Sequence, residues 1–593
     1  MRLFLALLSI FFTLNLNANQ LQNHSSPYLA LHGNDPVNWM EWGKPALEKA
    51  KKENKLLFVS IGYFSCHWCH VMQRESFADK DIAKLLNKNY ISIKVDRELN
   101  PVLDKRLIEF VQVSTGTAGW PLNVFLTPDA YPLVGATYMP PEQFSSVLKN
   151  LTKKWKAEQV SLSKQAKEMS NTLVTMLEEQ EQPTDLKSIK SLSENYVNTA
   201  MQYADTLQGG FGHQQKFPQI PQLWALLKLN KIKKNEEADE FLELTLAQMA
   251  QQGLHDELSG GFYRYTTDPD WETPHFEKML YTNALMPLLY FDAADQYKNM
   301  SYRETAMETL DFLKNEMLGK KNAFVASLSA VDDKGEEGGY YLWKQQELKE
   351  VLNPQELKLA NLYWNLSRSY ELSAGNLPRQ YSTIEELAEK LKSSPTQITQ
   401  NVNKLKNKLR IHRNKSRNLP RDTKLLAGMN GLTLAAFSRG LAYDASLEPT
   451  GENLAQFLIS LWDGKTLRRS SANKNQGDLY DYAAVSWGLM KWGKATNNNN
   501  IIKVATDIAT TAWARFYENK NWIENPDSLL PQGIKQAHIA DSALISAEAL
   551  LLEASLLSED PKIALKVNDV LKNITQSLET DIYGHPSILS LVK

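Results

Sequence analysis

The chain has 593 residues, enough for two or three domains, and its 66 Lys and Arg against 68 Asp and Glu leave a net charge of −2. That balance provides no basic field for nucleic acid, and a total of two cysteines excludes a disulfide-built scaffold. Fourteen Trp and 23 Tyr are many for the length; they either build the cores of large helical domains or line a carbohydrate cleft.

At the N-terminus Arg2 precedes an apolar stretch from Leu3 to Leu16, after which Asn17-Ala18-Asn19-Gln20 turns polar. A charged start, an apolar run too short to span a bilayer and a small residue at the cut form a secretory signal over residues 1–18, with Ala18 before the cleavage point. Leu16, at the third position back, is larger than the ideal and leaves an uncleaved anchor as the alternative. No later apolar run approaches spanning length. The mature chain is therefore expected to be exported, periplasmic or extracellular, with no stable membrane span and in a compartment where a dithiol pair can oxidise.

Lys55-Leu56-Leu57-Phe58-Val59-Ser60-Ile61-Gly62 reads as a buried strand that delivers Cys66-His67-Trp68-Cys69-His70 to the start of a helix running through Val71-Met72. The only two cysteines stand two residues apart. A thiolate at a helix N-terminus is stabilised by unpaired backbone N–H groups and the positive end of the dipole, which lowers its pKa. Ser92-Ile93-Lys94-Val95-Asp96 reads as a second buried strand, and Gly119-Trp120-Pro121 opens a third that runs to Thr127-Pro128-Asp129. In a thioredoxin fold a cis-proline at the head of such a strand packs against the CxxC, and Pro121 is the candidate. Three other readings of the five residues stay open: c-type haem attachment, a zinc site using the cysteines and one or both histidines, and a structural disulfide. The last closes too short a loop to stabilise much.

From about residue 142 the period changes from two to 3.6. Glu142 to Glu181 reads as one or two long polar-faced helices, and Gln182-Pro183-Thr184-Asp185 as a linker. Helix-length segments follow near 189–206, 221–231, 237–252, 275–298, 301–317, 345–352, 383–409, 430–445, 450–462, 479–494, 500–516, 540–558 and 561–578. A dozen antiparallel helices fit an (α/α)6 toroid, and helix number alone also allows an α-solenoid. Gly209-Gly210-Phe211, Gly260-Gly261-Phe262 and Gly338-Gly339-Tyr340 fall between predicted helices at unequal spacing, which speaks against a regular solenoid.

The pieces Ser26-Pro27-Tyr28-Leu29, Asp35-Pro36-Val37-Asn38-Trp39, Cys66 to Met72, Arg74-Glu75-Ser76-Phe77, Lys94-Val95-Asp96-Arg97-Glu98 and Gly119-Trp120-Pro121 resemble the N-terminal module of the thioredoxin-domain-containing family typified by spermatogenesis-associated protein 20 and its bacterial homologues. The resemblance continues through Gly210-Phe211-Gly212, Lys216-Phe217-Pro218, Gly260 to Tyr265, Trp271, Pro274 to Tyr281 and Gly335 to Trp343. It implies a multidomain protein: an α/β thioredoxin-like domain over 19–150, a helical linker over 151–185, and an all-α (α/α)6 toroid of the six-hairpin glycosidase type over 186–593. One departure from thioredoxin is Ser60, which stands six residues before Cys66 where thioredoxins place a buried acid; proton transfer then falls to His67 and His70.

In the toroid, His275 and Glu277 are expected to open a helix right after Pro274, where a histidine with a nearby acid can act as base and acid on a sugar-like substrate. Asp256, Glu257 or Asp268 would supply the paired carboxylate of hydrolytic chemistry, and Arg264 and Trp271 join His275, Glu277 and Asp256 as pocket candidates. Further along, Met429 stands where the family has a tryptophan, Tyr480-Asp481-Tyr482-Ala483 is retained, and His538-Ile539-Ala540-Asp541-Ser542 replaces a Pro-Ser-Gly-Asn loop. With the CxxC motif intact and the later barrel motifs drifted, the expected function is thiol–disulfide exchange by Cys66, Cys69, His67, His70 and Pro121. Its partners would be protein thiols or a relay protein, with a saccharide as a ligand of the barrel. The alternative is a carbohydrate-active or carbohydrate-binding barrel with an accessory thioredoxin-like module. Neither reading calls for a cofactor.

Overall fold

The computed structural model describes residues 19–178, 189–370, 372–472, 475–531, 535–536, 538–578 and 581–591; the stretch 1–18, expected to be a secretory signal, and Gln182-Pro183-Thr184-Asp185, expected to be a linker, lie outside the described residues. Two compact units divide the chain, one of residues 1–63 with 68–170 and one of 64–67 with 171–593.

In the first, α1 (Pro27–Leu31) and α2 (Lys44–Glu53) precede β1 (Leu56–Gly62), followed by α3 (His67–Met72), α4 (Lys80–Asn89) and β2 (Tyr90–Asp96). Then come α5 (Pro101–Thr115), β3 (Leu122–Leu126), β4 (Pro132–Ala136) and α6 (Pro141–Glu178). The strands lie in the order β2-β1-β3-β4, with β1 and β2 parallel and β3 antiparallel to both β1 and β4. Both β1 and β2 are buried along their whole length, which happens when helices cover both faces of a sheet and explains why they read as nearly unbroken apolar runs. Phe58 anchors the core, its ring 5.1 Å from Phe125 and 5.4 Å from Phe144. The arrangement is thioredoxin-like.

The second unit begins with α7 (Ile189–Tyr203), α8 (Ile220–Ile232) and α9 (Glu236–Gln251), and continues through the two-residue strands β5 (Tyr265–Thr266), β6 (Pro274–His275) and β7 (Lys278–Met279). Next come α10 (Leu280–Tyr297), α11 (Met300–Phe312), β8 (Ser327–Leu328), α12 (Gln345–Val351), α13 (Pro354–Trp364), α14 (Ile384–Leu391), α15 (Pro395–Ser416) and β9 (Arg421–Asp422). The last part holds α16 (Ala427–Gly440), α17 (Glu448–Ser460), α18 (Leu479–Ala495), α19 (Asn499–Phe516), α20 (Ala547–Ser558), α21 (Pro561–Ser577) and α22 (Pro586–Leu589).

Six of these helices close a ring: α8 packs on α10, α10 on α16, α16 on α18, α18 on α20, α20 on α22, and α22 returns to α8. Their residues are buried on nearly every side, as expected of helices apolar all round. Six more, α7, α9, α11, α17, α19 and α21, pack against the helices of this ring. The unit is an (α/α)6 toroid, and because inner and outer helices alternate in direction, all inner N-termini gather at one end. Between α11 and α16 the chain inserts α12–α15, which share a core of Trp343, Trp364, Leu387, Ile398, Leu405 and Leu409.

The loops that lead into α8 and α10 repeat one design. Asp205 and Asp256 each take their own backbone N–H to a glycine carbonyl five residues on, accept two amides on Oδ1 and bind a lysine through Oδ2, Lys216 and Lys278 respectively, each at 2.8 Å. The glycine pairs at 209–210 and 260–261 all have φ between 73° and 75°, a region closed to most side chains.

The sequence expectation for residues 275–279 is overturned. Pro274 suggested the first turn of a helix, but Pro274–His275 pairs as a strand with Tyr265–Thr266 and Lys278–Met279 pairs with Ser327–Leu328; the helix begins at Leu280. The 383–409 segment is likewise two helices, parted at Lys392, which has φ 50°.

Candidate functional site

Cys66 precedes the first residue of α3, and both Cys66 and Cys69 are disulfide-bonded; with two cysteines in the chain, they are bonded to each other. The helix continues into a wider turn over Gln73–Phe77. Gly62, at the end of β1, lets the strand approach the pair: a Cβ there would overlap the Tyr28 hydroxyl and stand 2.7 Å from Cys69 Sγ. Gly62→Ala is expected to destabilise this unit by about 1–3 kcal/mol through overpacking, read as a lowered urea midpoint; an unchanged midpoint would mean that Tyr28 can swing away.

The Trp120–Pro121 bond is cis, as expected. The Trp120 indole donates to Asp104 Oδ1 at 2.8 Å and lies edge-on to Tyr63, with ring centroids 5.9 Å apart, while the Arg97 guanidinium covers it at 3.9 Å. Aromatic and cation–π contacts thus tie the segment carrying Pro121 to the residue three before Cys66. Trp68, between the cysteines, is 49% exposed and packs against Tyr138 at 5.1 Å.

Ser60 is buried beneath this site, and its hydroxyl accepts a 2.9 Å hydrogen bond from Lys94 Nζ. Lys94 is fully buried among the rings of Phe77, Tyr28 and Trp39, 4.6, 5.3 and 5.4 Å from their centroids. Burial pushes its pKa down to about 7, against the attraction of Asp35. Asp35 is engaged by His32 Nδ1 at 2.7 Å, by the Trp39 indole at 2.9 Å and by Gln73 at 3.1 Å, and burial pushes the His32 imidazole down to about 3. The sequence contains Lys94 but no sign that it is the ionisable group next to Ser60; the parallel register that pairs Ser60 with Lys94 supplies that.

In the toroid, three of the pocket candidates come together. Glu277 Oε2 binds Arg264 Nη1 at 3.2 Å, and its Oε1 lies 3.3 Å from His275 Nδ1, out of line for a hydrogen bond. His275 Nε2 stands 3.5 Å from Glu337. The imidazole stacks on Tyr265 at 5.1 Å, and Tyr265 on Phe217 at 4.5 Å. Asp256 and Trp271 are placed otherwise. The Asp256 carboxylate is committed to Lys278 and Arg413, and Trp271 is fully buried, donating to the Gln208 carbonyl at 3.0 Å.

Two further buried carboxyls lie in the later motifs. Asp481 accepts from Gly428 N and Arg469 and joins α16 to α18; burial and its neighbour Asp478 push its pKa up against Arg469. Asp541 accepts from Ser546 N at 2.6 Å and Ser587 N at 2.8 Å, and burial raises it to about 7. Both are tied to backbone amides and so hold helix starts in place.

A thioredoxin-like unit with a CxxC pair joined to an (α/α)6 toroid defines a two-module class of protein. The family model described as "Protein of unknown function, DUF255" matches residues 18–174. The chain is 30% identical to mouse spermatogenesis-associated protein 20 over 565 residues, covering 84% of this chain and 70% of that protein. It is also 30% identical to the human protein, with 85% and 70% covered. The chain belongs to the spermatogenesis-associated protein 20 family. Among solved structures, it is similar to cellobiose 2-epimerase from Bacillus thermoamylovorans, at 12% identity and TM-score 0.41 over 65% of this chain and 86% of that one. It is also similar to a DsbH oxidoreductase, at 18% identity and TM-score 0.17 over 20% of this chain and 85% of that one.

Proposed function

We propose that the protein is an exported thiol–disulfide oxidoreductase whose helical toroid binds or positions the substrate. The observation that carries this reading is the Cys66–Cys69 disulfide at the head of α3, on a thioredoxin-like sheet that also presents a cis Trp120–Pro121 bond. In the reduced protein the Cys66 thiolate attacks a partner disulfide, forming a mixed disulfide and expelling one partner thiolate. The Cys69 thiolate then attacks Cys66 Sγ, re-forming the intramolecular bond and releasing the second partner thiol, so two electrons pass to the partner. His67 and His70 are the nearest side chains by sequence to carry protons for these steps. The apolar segment 1–18, read as a secretory signal, supports an oxidising compartment. The stacked Phe217, Tyr265 and His275 with Glu277 and Arg264 support a role for the toroid in holding a polar ligand.

The test is exchange between the reduced full-length protein and glutathione disulfide. Cys66→Ala is expected to abolish exchange, and Cys69→Ala to accumulate one glutathione per chain by mass spectrometry. Exchange that survives Cys66→Ala sinks the reading. Glycoside turnover lost on Glu277→Gln would favour the alternative, a carbohydrate-active barrel with an accessory thioredoxin-like module.

A further inference from the structure

A cavity of about 460 Å³ opens among the inner helices of the toroid, lined by Trp224 and Lys228 of α8, Asp292 of α10, Arg439 of α16, Lys491 and Lys494 of α18 and Glu553 of α20. Asp292, Arg439, Lys491 and Lys494 belong to the later turns of their helices, and Trp224, Lys228 and Glu553 lie nearer the middle of theirs, so the cavity is set back from the loops that hold Asp205, Asp256 and His275. Its volume falls in the range of small-molecule sites. Four cations line it against two carboxylates, and the pairing within it is incomplete. Lys491 binds Glu553 at 2.7 Å, Lys494 binds Glu559 at 2.8 Å, and Arg439 binds Asp295 and approaches Asp292 at 3.4 Å. Asp292 also accepts the Trp224 indole N–H at 2.7 Å.

Lys228 is left over. Among the described residues its ammonium makes no hydrogen bond or ion pair; it rests 4.0 Å over the Trp224 ring. Burial lowers its pKa, which the attraction of Glu553 and Asp292 only partly offsets while Lys491 adds to the repulsion. The side chain is half-buried and lines the cavity with no carboxylate in direct contact among the described residues. Compensation of a helix dipole acts within the last turn, and α8 ends at Ile232, so Lys228 lies too far back for that role.

We propose that this cavity binds a small phosphate ester, its phosphate held by Lys228 with Lys491 and Lys494 and its hydroxylated body hydrogen-bonded to the Asp292 and Glu553 carboxylates. Phosphate suits lysines as point charges, Lys228 is the lining cation that has no ion pair among the described residues, and the carboxylates accept hydroxyl donors. The site is independent of the cysteine chemistry and of the His275 cluster.

The test is isothermal titration of the full-length protein with glucose 6-phosphate, inorganic phosphate and glucose. Saturable binding of the ester is expected, at least tenfold tighter than inorganic phosphate, with no binding of glucose. Lys228→Met should weaken the ester at least tenfold. Glu553→Gln removes a negative charge and should strengthen it severalfold, which keeps the test valid should the first variant fail to fold. No saturable binding, equal affinity for free phosphate, or a Lys228→Met protein that binds as the wild type does would overturn the assignment.

Discussion

Asp256→Ala should cost the helical unit about 3–5 kcal/mol, the penalty for stranding buried charge. Asp256 is 2% exposed; its Oδ2 takes Lys278 Nζ at 2.8 Å, and both oxygens take the Arg413 guanidinium, at 3.2 and 3.0 Å. Burial alone would raise the carboxyl, but Arg413 and Lys278 overcome it and hold the pKa well below the usual carboxylate range. A depressed folded pKa means that this contribution is complete above about pH 4, the unfolded value, and fades only as acid protonates the group in the fold. Arg413 belongs to α15, so the carboxylate also fastens the inserted helices to the loop before α10. Urea unfolding at pH 7 checks the size of the loss. Replacing the set together, Asp256→Ala with Lys278→Met and Arg413→Met, should recover much of it, because apolar groups leave no charge unpaired. If the triple variant is no better than the single one, packing rather than stranded charge is the cause.

Lys94→Met should raise the stability of the thioredoxin-like unit by a few kcal/mol at pH 6 and remove most of its pH dependence above 7. Lys94 titrates near 7 in the fold because it is buried, against about 10.4 in an unfolded chain. Between those values the unfolded state binds the extra proton, so wild-type stability climbs as pH rises from 7 to 10 and is lowest below 7, where the ammonium must be charged in the core. The upper bound is about 1.4 kcal/mol for each pH unit of that gap. Three aromatic faces return about 0.5–2 kcal/mol apiece to the cation, which reduces the effect. Hydrogen exchange of peptides from β1 and β2, corrected for intrinsic rates, reads this directly. A wild-type protein with flat stability over that range would show that the rings offset burial in full.

Most helices were legible because an inner helix of a toroid is a long apolar run and an outer one has a clear 3.6-residue period. The thioredoxin-like strands β1 and β2 were legible for the same reason, burial on both faces. Short extended pieces were not: β5 to β9 are two residues each, too short for any period, and Pro274 imitated a helix start. The helix α13 was missed between the expected segments 345–352 and 383–409, although Asn353 as cap, Pro354 next and Glu356 completing a capping box mark its start. At the candidate site the CxxC and Pro121 were visible as motifs, whereas Lys94 was hidden because a charged residue in a strand says nothing about the core it enters until its register is known. The apparent carboxylate candidate Asp256 misled for a related reason. Sequence shows an acid near a histidine but not the two cations that arrive from 22 and 157 positions away.

The closed ring has a cost in time. On the ribosome, α8 emerges early, yet its neighbour α22 and the Tyr583 hydroxyl that bonds Gln219 at 2.8 Å come 364 positions after that glutamine. At ordinary rates of translation the gap lasts on the order of half a minute. Throughout it one side of α8, apolar nearly all round, has no partner and must be shielded by a chaperone or by transient non-native collapse. Closure is then a single late event with a large loop-closure cost. Substitutions on α22 should therefore act on yield and aggregation during synthesis more than on the behaviour of molecules already folded.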